Sequence, residues 1–184
     1  MMMKNAILKS IVLPMLILFI NLSYALNVEP INNFDSTKYL GTWYEVVRLP
    51  NRFEKKCFQP IIAKYEIDTN NSSQIIITNS CNLIDGSLNT ATGIAKFTDK
   101  HNIGKLDVTF LPTWLRWLPF GYGDYWILYT DYNSVSLVGS KDGDYLWVLS
   151  RTKNIDEAIL NKVLQIAKIQ GFDTSKIIFT HSKF

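Results

Sequence analysis

From residue 40 onward the chain breaks into short apolar and aromatic runs, at 42–49, 58–67, 74–81, 89–97, 105–110, 124–130, 134–139 and 144–151. Each is bounded by Gly, Asn, Asp, Ser or Pro, the residues that turns require. Asn70-Asn71, Asp85-Gly86 and Lys141-Asp142-Gly143 are such turns. A parallel return needs a crossover of about a dozen residues or more, so eight runs joined this tightly predict a mostly antiparallel meander. The expected fold class is all-β, an eight-stranded antiparallel up-and-down barrel. Closure removes exposed edges, and a barrel of this size either fills its interior with side chains or holds one small ligand.

After the last run the apolar period changes. Ile155, Ile159, Val163, Ile166 and Ala167 recur at helical spacing until Gly171, with Asn154 as the expected cap and Glu157 three residues on. One C-terminal α-helix is expected on the outside of the barrel. Residues 176–180 read equally as a last short strand or an irregular tail. Without a linker or repeat, residues 26–184 form a single expected domain.

Residues 1–25 have a different character. Lys4 and Lys9 precede the apolar run 11–20, and Ser23-Tyr24-Ala25 follows it. That is the layout of a secretory signal peptide, and the run falls short of the roughly 20 residues of a bilayer span. Removing Lys4 and Lys9 takes the basic count from 19 to 17 against 16 acids, too even a balance to attract nucleic acid. The expected location is exported, periplasmic or outer-membrane-associated, with no lipid-accepting cysteine at the cleavage site. Cys57 and Cys81 reach a compartment that permits disulfides. If Ile67 faces Gln74 across the second turn, the two cysteines miss each other by three residues, a gap that a loop end or bulge closes. A disulfide and two neighbouring free thiols both fit this spacing.

Gly41-Thr42-Trp43 opens the first run, Thr130-Asp131-Tyr132 ends the sixth and Arg151 closes the eighth. These residues resemble the three signature regions of the lipocalin family in order and spacing. Arg52-Phe53-Glu54 and "DYLWVLSRT" resemble its bacterial branch, often called Blc, and the likeness covers roughly residues 34–184. The resemblance implies that Trp43 plugs a closed end of the barrel under Arg151, a cation–π contact that suits arginine. Both are then closure residues and not ligand contacts. With side chains alternating along a strand, Trp43 facing inward carries Glu45, Val47 and Leu49 inward, and Arg151 carries Tyr145, Trp147 and Leu149. Across the sixth run the family places Tyr125, Ile127 and Tyr129 inward, with Trp126 and Leu128 outward, and Tyr122 borders the pocket.

What the resemblance implies for function is binding, transport or storage of a fatty acid, lysophospholipid or similar amphiphile, in support of cell-envelope lipid maintenance, by Glu45, Val47, Tyr122, Tyr125, Ile127, Tyr129, Tyr145 and Trp147. The opposite reading is a barrel filled by its own aromatics. Glu45 is either a contact for a ligand head group or a partner of Tyr145 or another barrel hydroxyl, since a lone buried carboxylate is costly. The stretch 110–126 offers Trp114, Trp117, Leu118 and Phe120 as a rim that touches membrane, with Arg116 toward the headgroups, or as a loop folded onto its own barrel. An enzyme is the contrasting class, and its chemistry is poorly supplied. His101 and His181 stand far apart in sequence, and no phosphate loop or metal-ligand spacing occurs, so neither metal nor cofactor is expected. A rim-loop protein-interaction module is the third class.

Overall fold

The structure, a computed structural model, describes residues 26–98 and 103–180. The expected leader, His101 and His181 lie outside the described residues. Among them β1 (Gly41–Arg48), β2 (Phe58–Ile67), β3 (Gln74–Asn82), β4 (Leu88–Phe97), β5 (Lys105–Thr109), β6 (Gly123–Thr130), β7 (Val135–Gly139) and β8 (Leu146–Ser150) pair antiparallel in chain order. β1 also pairs with β2, which closes the eight-stranded barrel. A two-residue β9 (Ile178–Phe179) extends the sheet beside the end of β1, so the C-terminal segment is a short strand.

Two apolar clusters share the barrel wall. Inside lie Phe34, Tyr39, Trp43, Tyr65, Ile75, Ile77, Ala95, Leu106, Ile127, Val138 and Leu149. Outside, Val46, Val47, Leu49, Trp126, Leu128, Leu137 and Val148 pack against Leu160, Val163 and Ala167 of α2 (Glu157–Ile169) and against Phe172. The wall residues alternate as a two-sided strand requires: Ile75 and Ile77 are buried while Ile76 and Thr78 are half-buried. α2 is capped by Asp156, whose carboxylate accepts from the N–H groups of Ala158 and Ile159 at 2.9 and 3.1 Å. The expected cap, Asn154, instead uses its carbonyl to accept from Thr152 Oγ1. The helix ends at Gly171 with φ of 95°. Gly171 N–H bonds to Lys168 O, and Phe172 N–H bonds to Ala167 O and returns the chain to the outer cluster.

One end of the barrel is sealed. The short helix α1 (Ser36–Tyr39), which the sequence reading did not anticipate, is capped by Asp35 and lays Tyr39 across the opening. Trp43 Nε1 donates to Tyr39 O at 2.8 Å. Arg151 lies over the Trp43 ring at 3.7 Å from its centroid and donates to the carbonyls of Lys38, Thr42 and Tyr132 at 2.9, 3.1 and 3.0 Å. Gly41 has φ of 96°, and a Cβ there would stand 3.4 Å from the Arg151 guanidinium, which is why glycine opens this strand. Asp131 holds the adjoining turn by accepting from the N–H groups of Asn133, Ser134 and Val135 and from Ser134 Oγ. That turn keeps Tyr132 at a positive φ of 64°.

Cys57 and Cys81 form a disulfide with Cα atoms 5.4 Å apart. The β2–β3 hairpin sets Ile67 opposite Ile75, one residue from the expected register, and a shift between Phe58 and Ile62 then sets Phe58 opposite Asn82. The bulge draws Cys57 alongside the end of β3.

Two measurements test this frame. Trp43 is fully buried, so Trp43→Ala lowers the unfolding free energy by about 3–5 kcal/mol, whereas Trp114→Ala, 73% exposed, leaves the denaturation midpoint nearly unchanged. Equal losses at both sites would mean that Trp114 is core. Alkylation of the unreduced protein leaves both cysteines unmodified, and reduction destabilises by about 3 kcal/mol in the chain-entropy account of a loop this long.

Candidate functional site

β1 leaves the sealed end at Trp43 and reaches the other at Arg48. The connections β1–β2, β3–β4, β5–β6 and β7–β8 therefore all lie at that far end. Phe53, Phe58, Ile84, Leu88, Phe110, Trp114, Trp117 and Phe120, all exposed, sit in or beside the first three of them. In the β5–β6 connection Trp117 is 76% and Phe120 80% exposed, while Leu118 is half-buried. Leu118 is thus a support within the rim and not part of its outer surface. Arg116 turns back to donate from Nε to Leu111 O at 2.9 Å, and its own carbonyl accepts from the Tyr122 hydroxyl at 3.0 Å. The loop is braced by these bonds, and its aromatics project.

Inside, the apolar cluster fills the sealed-end half, and more polar residues line the far half. Three tyrosine hydroxyls mark the change: Tyr65 meets Tyr125 at 2.6 Å, Tyr125 meets Tyr39 at 3.2 Å, and Tyr39 meets Ser136 Oγ at 3.0 Å. Burial pushes Tyr39 up to about 12, against the opposing hydrogen bonds from Ser136 and Tyr125. Burial likewise holds Tyr65 and Tyr125 well above the usual phenol range. All three stay neutral and can donate. Beyond them the register carries the inward face of β3 and β4 through Asn79 and Ala91 to Cys81 and Asn89. There Asn89 and Ala91 are exposed and Asn79 is half-buried; β3 is paired on both sides at Asn79, whereas β4 is paired only with β3 here and meets β5 from Ile94 onward. These inward-facing positions are open to solvent at the unsealed end of the barrel. Asn79 Oδ1 is buried with no hydrogen-bond partner among the described residues.

Opposite this face lies a charged cluster. Arg48 Nη1 donates to Glu45 Oε1 at 2.7 Å, its Nε stands 3.3 Å from Glu54 Oε2, and Trp147 Nε1 reaches the same oxygen at 3.5 Å. Glu45 is 3% and Arg48 7% exposed. Burial, then the charge of Glu54, raise the Glu45 carboxyl to about 8 although Arg48 pulls it down. At neutral pH Glu45 keeps its proton in a hydrogen bond with Glu54. One guanidinium then faces one carboxylate, and the cluster is close to neutral.

Glu45, Tyr125, Ile127 and Trp147 face inward, with Tyr145 stacked on Trp147 at 5.7 Å. Four expected wall residues do not. A register shift between Glu45 and Val47 makes Val46 the extra residue, so Val47 and Leu49 join the outer cluster and Arg48 turns in opposite Trp147. A second shift between Ile127 and Tyr129 puts Tyr129 outside, where Lys162 Nζ donates to its hydroxyl at 2.8 Å. Tyr122 is outside as well: its hydroxyl accepts from Lys96 Nζ at 3.2 Å on the outer face of β4. Glu45 finds Arg48 and Glu54, not Tyr145. The sequence reading also missed Tyr39, Tyr65, Ser136 and Asn79. Tyr65 was accessible to it, because Ile61, Ala63 and Tyr65 alternate along β2.

Because the folded protein holds the Glu45 proton to about pH 8 and the unfolded chain releases it near the ordinary glutamate value of 4.5, protonation stabilises the fold. That contribution is complete below about pH 4.5 and is lost as pH rises to about 8, by at most about 1.4 kcal/mol per pH unit. Relative to Glu45→Gln, wild-type stability should fall across this window and level off above it. Urea titrations from pH 4 to 9 test this, and a difference independent of pH would refute the proton assignment.

Among the described residues no three His, Cys, Asp or Glu side chains come together to hold a metal, and no helix is long and apolar enough to cross a membrane. Residues 34–182 match the family model described as a lipocalin-like domain. The outer membrane lipoprotein Blc of Vibrio cholerae is 32% identical over 159 residues, 85% of this chain and 88% of that protein. Apolipoprotein D of Mus musculus is 33% identical over 156 residues, 80% of this chain and 77% of that protein. The solved structure of insecticyanin from the tobacco hornworm Manduca sexta superposes with a TM-score of 0.65 at 23% identity, covering 85% of each chain. The matched model spans the whole barrel and its relatives exceed 30% identity across it, so the chain belongs to the lipocalin family, which binds small hydrophobic ligands.

Proposed function

We propose that this chain binds a fatty acid or lysophospholipid in the open half of its barrel and carries or stores it at the cell envelope. The observation that supports this reading is the solvent-reached inward face at Asn79, Ala91 and Asn89, facing Trp147 and Tyr145. At Asn79, where β3 is paired on both sides, a barrel filled by its own side chains would bury the residue. Apolar walls with a few placed polar groups suit an acyl chain. At about 0.8 kcal/mol per methylene, about ten buried methylenes reach the roughly 8 kcal/mol of a micromolar complex before ordering costs. Asn79 Oδ1, without a partner, and the near-neutral Glu45–Arg48–Glu54 cluster are the polar groups available to a head group.

The envelope location draws support from the Blc relatives, which are named as outer membrane lipoproteins. Both cysteines of this sequence are spent on one disulfide, so in our reading attachment does not run through a lipidated cysteine. Exposed Trp114, Trp117 and Phe120 serve that end instead, as aromatic side chains that settle at a bilayer interface.

Organic extraction of the purified protein followed by mass spectrometry should recover a single-chain lipid, and lysophospholipid added to delipidated protein should change its tryptophan fluorescence. Trp147→Gln should weaken that binding by about tenfold or more, about 1.4 kcal/mol, with the fold retained. No recovered lipid and no spectral change at saturation would end the carrier reading. Trp114→Ala with Trp117→Ala should reduce co-sedimentation with vesicles and leave the melting temperature unchanged.

A further inference from the structure

The two ends of the barrel differ in what they show to solvent. Among the described residues every exposed Phe and Trp lies at the far end, with Phe53 in the β1–β2 connection and Trp114, Trp117 and Phe120 in the β5–β6 connection. Ile84, 89% exposed, adds an apolar side chain from the β3–β4 connection between them. Three of the four loops at this end therefore project apolar groups.

The charges of the same three loops are sorted by sign. Glu54 turns into the barrel, 3.3 Å from Arg48 Nε. Asp85 is held within its own turn, accepting from Ser87 N–H and Oγ at 2.9 and 2.6 Å. Arg116 turns back onto Leu111 O. Arg52, Lys55 and Lys56 remain exposed, and among the described residues none of the three is in an ion pair. Arg52 lies 5.1 Å from the centroid of the exposed Phe53 ring, so cation and aromatic stand side by side. The fourth loop, β7–β8, has neither property: it carries Lys141, Asp142 and Asp144 and no exposed large apolar residue.

Projecting aromatics alone settle at any bilayer interface, and free cations alone attract any polyanion. Together on one face they match a partner that is negative at its surface and apolar just beneath. Nucleic acid offers the charge and no apolar layer, and a neutral bilayer leaves three cations without counterions. We propose that the three-loop face docks on an anionic bilayer, with Arg52, Lys55 and Lys56 selecting negative headgroups and the β7–β8 loop left off the surface. The inference rests on the bilayer reading of Trp114, Trp117 and Phe120 above and adds to it a second, basic contact and the charge of the membrane. The barrel mouth then opens onto the membrane and not onto water.

Co-sedimentation of the purified, disulfide-bonded protein with two kinds of vesicle tests this. One is phosphatidylcholine, and the other is phosphatidylcholine with one part in three phosphatidylglycerol. Three basic side chains near a negative surface strengthen partitioning on the order of a hundredfold, so wild type should prefer the mixed vesicles by at least tenfold. In 1 M sodium chloride, where the screening length shrinks to about 3 Å, that preference should collapse. R52Q/K55Q/K56Q should bind both vesicles at the wild-type level for phosphatidylcholine, with its melting temperature unchanged, and R52K/K55R/K56R should keep the preference. K141Q/K153Q/K168Q removes the same charge outside the three loops and should also keep it. Equal binding of both vesicles by wild type, a preference surviving in R52Q/K55Q/K56Q, or an equal loss in K141Q/K153Q/K168Q would overturn the proposal. W114A/W117A should weaken binding to both vesicles and preserve their ratio. If it weakens neither, the bilayer reading of those tryptophans falls and the basic contact stands. Wild type that sediments with neither vesicle overturns both.

Discussion

The stack of Arg151 on Trp43 is the constraint from which the rest of the molecule follows. It joins the first strand to the last, and the same guanidinium draws in the carbonyls of α1 and of the Asp131 turn. An eight-stranded barrel has two ends and one lumen, and filling one end with Tyr39, Trp43 and Phe34 leaves water access only from the other. Antiparallel connectivity then gathers every second loop at that open end. The projecting aromatics, the disulfide and the rim cations are neighbours because the strand order allows them no other place.

Strand existence was legible in the sequence, and strand phase was only partly so. Alternation located every barrel strand to within about two residues at each end, because turn residues interrupt the apolar runs where the sheet reverses. Phase failed at the two bulges. At Val46-Val47 and Leu128-Tyr129 two adjacent side chains both suit an apolar cluster, so composition carries no mark of which residue is extra. Those bulges send Val47 and Tyr129 to the helix side and bring Arg48 inside. Tyr122 failed for a different reason, since it lies before β6 in a loop whose path depends on the hydrogen bond to Arg116 O. The helix cap moved from Asn154 to Asp156 because a carboxylate nearer the first turn accepts two N–H groups.

The bulge in β1 has a chemical consequence as well. It delivers a guanidinium to a wall that already carries Glu45, and the β1–β2 connection returns Glu54 to the same point. Two carboxyls and one guanidinium taken from water are tolerable only when the charges balance, and the proton held by Glu45 provides that balance. Apolar residues of the same volume would seal the interior with comparable or better stability. What the cluster supplies is a polar wall beside an otherwise aromatic one, without a net charge that would repel either a neutral or an anionic ligand.

Depth is the remaining limit. The Tyr39–Tyr65–Tyr125 hydroxyls lie across the lumen in one connected chain with Ser136, and Tyr65 stands near enough to Glu45 and Glu54 for their charges to raise it further. An acyl chain that pushed past this level would have to separate hydroxyls that have no other buried partners, at a cost of about 1–3 kcal/mol for each one left unsatisfied. It would also have to displace the closure residues beneath them. The tail in our reading therefore stops at the tyrosines, and the part of the molecule that the short lumen cannot enclose remains at the rim. In that reading the head group stays toward the mouth, near Phe53 and Asn89, and the chemistry of the mouth decides which amphiphile a barrel closed this firmly at one end would keep.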